Sequence, residues 1–147
     1  MKYSHLSFGI LRPFPSAFSR IFRIRVVIVR DSEVVLHRYN QNKGAKAAEP
    51  LRGYWCSAKY LVTQPDQPMT RHASRDVLRG EICIAATAFD PSTIAHESYH
   101  CVMDAKADRF LDRNGEGWEE TIAYCLDHLT GIVWRRGEPY ARTLLRG

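Results

Sequence analysis

Residues 90–100 read Asp90-Pro91-Ser92-Thr93-Ile94-Ala95-His96-Glu97-Ser98-Tyr99-His100. Aspartate is a favoured N-cap and proline suits the first helical position, so the run opens as a helix. His96 and His100 are then one turn apart on the same face. Two neutral imidazoles aimed at one point are half of a zinc site. Glu97 leaves the helix about 100° round from His96, too far to share an ion easily. It is well placed to hold a water bound to that ion. The H-E-x-x-H spacing therefore supplies two ligands and a general base, and the rest of the chain must supply a third ligand and a groove. Ile94, Ser98, Cys101, Val102 and Ala105 form a second, small-to-apolar stripe that turns inward and leaves the histidines facing a cleft. The competing interpretation is a surface helix with two histidines and a solvated glutamate.

A chain of 147 residues is read as a single domain, long enough to bury a core. Its apolar fraction of 45% and charged fraction of 25% are ordinary globular values. No run approaches the roughly 18 apolar residues of a membrane span, so no membrane partner is expected. The first thirty residues hold Lys2, Arg12, Arg20, Arg23, Arg25 and Arg30 and no acid. Pro13, Pro15 and these arginines interrupt any signal-peptide core, and a cytoplasmic protein is the expectation. Cys56, Cys83, Cys101 and Cys125 show no C-x-x-C pairing and are expected as buried thiols. The net charge of +5 is uneven: residues 81–133 hold ten acids and three bases, while the remainder holds six acids and eighteen bases. The motif thus lies in the acidic segment, where a cation or a metal is favoured.

Residues 1–19 read as an arm. Ile21 to Val29 is β-branched and reads as a strand, with Asp31-Ser32 as a turn and Val34 to Tyr39 as the returning arm of a hairpin. Asn40 to Gly53 reads as a loop, Tyr54 to Thr63 as a third strand, and Thr70 to Leu78 as a short helix. Glu81 to Ala85 is a short apolar strand feeding the motif helix, which should end near 105–107. Trp118-Glu119-Glu120 opens a second helix, with acids where the macrodipole favours them. Ile122, Ala123, Leu126, Leu129 and Val133 share one of its faces, and Arg135 to Gly147 is a basic tail of undefined structure. Trp55, Trp118 and Trp134 are expected in the core. The fold class is α+β: a sheet of three or four strands, the H-E-x-x-H helix, and a glutamate-bearing helix, with residues 81–133 as the metal-site half.

A third ligand has to return from a distance, because Asp104, one turn beyond His100, would overshoot the ion. Glu119 and Glu120 lie nineteen and twenty positions after His100. At this point the sequence resembles the gluzincin metallopeptidases, in which H-E-x-x-H is followed by a glutamate on a second helix, often as E-x-x-A; Glu120-Thr121-Ile122-Ala123 matches that signature. The stretch around Ile94-Ala95-His96-Glu97 is similar to small ImmA/IrrE-type phage and prophage peptidases. The resemblance spans residues 81–129. It implies a small zincin-like domain with Zn2+ held by His96, His100 and Glu120, with Glu97 activating water. Glu119 competes with Glu120 for the third position. Ser98-Tyr99 and Tyr124 depart from the usual pattern, and Met103 and Lys106 stand where the metzincins have glycine and a third histidine.

On this basis the expected function is zinc-dependent peptidase activity on a protein or peptide. Tyr99, Tyr124, His128, Tyr140 and Arg135 are the candidate oxyanion donors, and the Glu81 to Ala85 strand is the candidate substrate edge. One alternative is a catalytically idle zincin-like regulatory or binding protein. The other is a basic nucleic-acid-binding module, for which no recognition-helix or stacking motif is present. The oligomeric state is left open by the sequence.

Overall fold

Two β-branched runs, Arg23–Val29 and Leu78–Ala85, lie side by side and parallel at the middle of a four-stranded sheet. This computed structural model describes residues 5–19, 21–43, 51–58, 61, 78–113, 115 and 117–147. In chain order the elements are β1 (His5–Ile10), β2 (Arg23–Val29), α1 (Ser32–Lys43), β3 (Gly53–Ser57), β4 (Leu78–Ala85), α2 (Pro91–Ala107) and α3 (Trp118–Arg146). The strand order is β1-β2-β4-β3, with β1 antiparallel to β2 and β3 antiparallel to β4. The α+β class expected from the sequence is therefore present, and among the described residues no helix is long and apolar enough to cross a membrane.

Parallel neighbours cannot be joined by a tight turn and need a crossover, and α1 lies in that crossover. This overturns the hairpin expected after Val29. Asp31 is the start of a helix: its Oδ1 accepts from the Glu33 and Val34 amides at 3.1 and 3.2 Å, and its carbonyl accepts from Val35 at 3.2 Å. A local N-cap has outweighed the strand propensity of Val34-Val35. The expected N-terminal arm is likewise corrected. His5–Ile10 is an edge strand, with His5 opposite Val29 and Ile10 opposite Ile24, and Phe14 beyond it is buried.

Alternation along the strands divides the core in two. Phe8, Ile10, Ile24, Val26, Ile28, Ile82 and Ile84 face α2 and α3 in one cluster, while Val27, Val29, Cys83, Ala85, Tyr54 and Cys56 face α1 and Val35 in the other. The expected third strand is found but ends at Ser57 among the described residues. Of the later residues assigned to it, 59–60 and 62–63 lie outside the described residues, as do residues 70–77 of the helix expected over 70–78, whose last residue, Leu78, instead begins β4. The apolar run 81–85 is a strand, but a central one, so it cannot be the substrate edge. The edge on that side of the sheet is β3, the outer neighbour of β4.

α3 also runs further than expected. The tail Arg135–Gly147 continues it to Arg146 in one helix of 29 residues, with Pro139 inside. Thr121, Cys125, Leu129, Val133, Gly137 and Ala141, each four residues apart, are its buried positions. At Gly137 an added Cβ would meet the Phe89 ring at 2.5 Å, so this glycine is where the helix touches the core. Tyr140 packs on Phe8 with ring centroids 5.5 Å apart, and Arg136 donates to the Gly9 carbonyl at 2.9 Å. Arg136 thereby takes up an acceptor on β1, at the opposite edge of the sheet from β3.

On the α1 side of the sheet, Glu81 is completely buried. Arg25 donates to it from Nε at 2.9 Å, Arg38 donates at 2.8 Å from both Nε and Nη2, and the Tyr54 hydroxyl donates at 2.6 Å. Asn42 in turn donates to that hydroxyl at 3.1 Å. One carboxylate thus ties α1, β2 and β3 to β4. Burial alone would raise the Glu81 carboxyl, but the hydrogen bonds and charges of Arg38, then Arg25, hold it below the usual carboxylate range. A depressed folded-state value stabilises the fold above the ordinary carboxyl range, and this contribution is lost as the pH falls through the folded value. Glu81→Ala, which strands two guanidinium groups, is expected to cost about 3–5 kcal/mol at neutral pH. Denaturant titrations at several pH values check this, and the difference from wild type should shrink toward acid pH.

Candidate metal centre

The motif helix is built as its sequence dictates. Asp90 caps α2 by accepting from the Thr93 amide at 2.8 Å, Pro91 is the first helical residue, and the helix ends at Ala107. The inward stripe is Thr93, Ile94, Glu97, Ser98, Cys101, Val102 and Ala105. His96, Tyr99 and His100 are exposed. The predicted half-site forms: the Nε2 atoms of His96 and His100 are 3.2 Å apart, with their rings at 77° to each other. Two nitrogens at about 2.0–2.1 Å from one tetrahedral ion would stand about 3.3–3.4 Å apart, so the pair is set at a chelating separation. Glu97 completes a group whose ligand atoms all lie within 4.8 Å of one another, and its Oε1 is 3.8 Å from His96 Nε2.

Glu97 differs from the two histidines in its surroundings. The residue is only 4% exposed, and among the described residues its Oε2 has no hydrogen-bond partner. Burial pushes its carboxyl up to about 7. What allows this burial is Gly53, the first residue of β3. An added Cβ there would lie 2.8 Å from the Cys83 carbonyl oxygen and 3.2 Å from Glu97 Cγ. With hydrogen in that place, α2 settles against β3 and the Glu97 side chain slides under the strand.

Two openings meet at Glu97. One, of about 280 Å³, is lined by Leu51, Arg52, Gly53, Thr93, His96 and Glu97. The other, of about 370 Å³, is lined by Tyr39, Leu51, Gly53, Tyr54, Trp55, Glu97 and His100. Tyr54 and Trp55 belong to opposite faces of β3, so the second opening wraps around that strand.

Glu120 is not a member of the convergent group, which among the described residues consists of His96, Glu97 and His100. Helix phase gives the reason. Asp104, on the histidine flank of α2, accepts from Trp55 Nε1 of β3 at 2.8 Å. Lys106, about 200° further round the helix, sits over the Trp118 ring at the start of α3, 5.1 Å from its centroid. β3 and α3 thus hold opposite flanks of α2, and the histidines belong to the β3 flank. Glu120 is half-buried and Glu119 exposed in the first turn of α3.

The candidate oxyanion donors are also elsewhere. Tyr124 stacks on Phe18, Tyr140 packs on Phe8, and Arg135 and His128 are exposed on α3. Tyr99 is exposed beside His100, with ring centroids 6.3 Å apart. None of the five lines either opening. Cys101 and Cys125 are buried thiols whose pKa values burial raises, Cys125 to about 12, and neither joins the group.

The lining residues Thr93, Leu51, Arg52, Gly53 and Trp55 were not singled out as site residues from the sequence, where Trp55 was expected in the core. A glycine at the head of an aromatic strand is a sign of close backbone approach, and Gly53 was legible on that ground. Trp134, also expected in the core, is 39% exposed and stacked on Phe89.

The residues present fit a divalent ion held by His96 and His100: neutral imidazole suits zinc and its neighbours, and the buried Glu97 carboxylate, its Oε2 without a partner among the described residues, stands beside the pair. No family model, no curated protein and no solved structure matches the chain. The class these observations define is an α+β domain carrying a His-Glu-His group beside an edge strand.

Gly53→Ala should separate α2 from β3 at a cost of about 1–3 kcal/mol, with weakened metal affinity, as read by denaturation and by metal titration. The raised Glu97 value sets a pH dependence of its own. Below about 4.5, the ordinary value, ionisation plays no part; as pH rises toward about 7, the folded state increasingly carries the cost of a buried charge. In chelator, Glu97→Gln should therefore gain stability over wild type across that interval, by about 3 kcal/mol when complete. Melting curves at pH 5 and pH 8 provide the check.

Proposed function

We propose that this protein is a metal-dependent hydrolase of peptide bonds, with His96 and His100 holding a zinc ion and Glu97 as general base. The observation that carries this is the pair of Nε2 atoms 3.2 Å apart beside a buried carboxylate, one oxygen of which has no partner among the described residues. When bound, such an ion lowers the pKa of water and polarises a carbonyl. The protein's own groups supply the remaining work. Glu97, with a carboxyl near 7 before an ion is bound, is poised to accept a proton from the attacking water and return it to the leaving amine. Its burial under β3 keeps bulk water from solvating the carboxylate and fixes its direction.

β3 offers a bed for the substrate. An extended peptide adds to a strand edge through main-chain hydrogen bonds, and the opening around β3 reaches from the Tyr54 face to the Trp55 face and ends at Glu97 and His100. Trp55, fixed by its bond to Asp104, forms an apolar wall beside the histidines. Glu120 is left out of the protein ligands in this proposal.

Metal content per chain tests the proposal directly. Wild type should purify with, or titrate to, one divalent ion; His96→Ala and His100→Ala should lose it, while Glu120→Ala should keep it. Hydrolysis of a peptide library should disappear with chelator and fall about 100-fold or more in Glu97→Gln, the scale of a lost general base. Equal hydrolysis by Glu97→Gln and wild type would sink the enzymatic reading and leave a metal-binding protein.

A further inference from the structure

The side of α2 that carries the histidines shows solvent no lysine, arginine or carboxylate. Between Asp90 and Asp104 the sequence holds one charged residue, Glu97, and it is 4% exposed. The exposed positions from the start of the helix to His100 are Pro91, Ser92, His96, Tyr99 and His100. The His96 side chain is 71% exposed, and Tyr99 is 45% exposed between the two imidazoles in sequence. The acids that bracket the stretch are engaged at its ends, Asp90 with Arg52 and Asp104 with the Trp55 indole. A symmetric contact sets a patch against its own copy, so a charged patch repels itself and this one does not.

The two Nε2 atoms, 3.2 Å apart, fill two positions of a tetrahedral ion. The remaining member of the convergent group, Glu97, leaves the helix about 100° round from His96 and lies under β3, so it does not point outward with them. A second copy of the chain brings a second pair, at the same separation and on the same uncharged face. Two such pairs make the four-ligand set of a closed zinc site.

We infer that zinc joins two copies of this chain through α2, one ion being held by the two histidines of each. The inference rests on the metal pair of the proposed hydrolase and adds a form in which that pair is idle. Four imidazoles around one ion leave no position for water or a carbonyl. When zinc exceeds one ion for two chains, each pair takes an ion of its own by mass action and the copies separate. Each copy thus withholds the metal centre of the other until zinc is plentiful.

Sedimentation velocity of the full chain, stripped with chelator and titrated with zinc, tests this without turnover. The metal-free protein should run at the mass of one chain. The mass should double as zinc is added, with the dimer most abundant near about half an ion per chain, and fall back when zinc exceeds one ion per chain. His96→Ala and His100→Ala should stay at the mass of one chain throughout. Tyr99→Lys sets like charges across the contact without adding a carboxylate ligand. It should also stay single, yet take up about one ion per chain at excess zinc in equilibrium dialysis, which shows that its histidine pair is intact. Tyr99→Phe should dimerise as wild type does. The mass of one chain at every zinc level, a dimer that persists in chelator, or a dimer unaffected by His100→Ala or by Tyr99→Lys overturns the inference. Peptide hydrolysis at excess zinc is read separately. Hydrolysis without a dimer at half an equivalent sinks this inference and leaves the hydrolase proposal standing; a dimer without hydrolysis does the reverse.

Discussion

β3 is five residues long, and its period of two decides which side chains meet the histidine flank of α2. Tyr54 points to one side of the sheet and bonds Glu81; Trp55 points to the other and bonds Asp104 of α2. Adjacent residues therefore fasten the strand to both layers at once. Gly53, one step earlier, contributes no side chain, and the space it leaves is filled by Glu97. If the strand shifted by one residue, every one of these relations would exchange faces. The position of the motif glutamate, and with it the candidate metal centre, follows from that register.

The chain buries two glutamates and treats them oppositely. Glu81 has donors from two arginines and a tyrosine, and its carboxyl is held low. Glu97 has an oxygen with no partner among the described residues, and burial pushes its carboxyl to about 7. The first arrangement fixes architecture, because ionised carboxylate and guanidinium satisfy one another. The second leaves a group whose charge state is sensitive to whatever enters the groove, which is the condition a proton-transferring side chain requires. The same residue type serves both ends because neighbours, rather than identity, set its ionisation.

The two sheet edges are also handled differently. At β1, Arg136 reaches around from α3 to the Gly9 carbonyl and covers the Phe8 ring, 4.6 Å from its centroid. Such a cation on an edge discourages further pairing. At β3, the opening of about 370 Å³ lies along the strand and joins its two faces. The first edge is thus covered by a cation, and the second borders an opening.

The α2 helix was legible in the sequence because all its determinants are local: a capping aspartate, a proline at the first position, an inward stripe, and two histidines at the spacing of one turn. The burial of Glu81 was not legible, since nothing in Glu81-Ile82-Cys83 announces that Arg25 and Arg38 will arrive from other elements. α1 was misread because the capping role of Asp31 competes with the strand propensity of Val34-Val35. The parallel pairing of β2 and β4, a long-range fact, rules out the hairpin and calls for a crossover there. The segment from Arg135 on reads as a tail of undefined structure, yet packing of α3 at Gly137 on Phe89 and Ile28 carries the helix through it to Arg146. Thus the sequence alone determined which side chains stand one turn apart on a helix, because i and i+4 geometry is intrinsic to the backbone. Only the tertiary structure decided that this flank faces β3 and not the glutamates of α3, because which flank is covered depends on contacts between residues far apart in the chain.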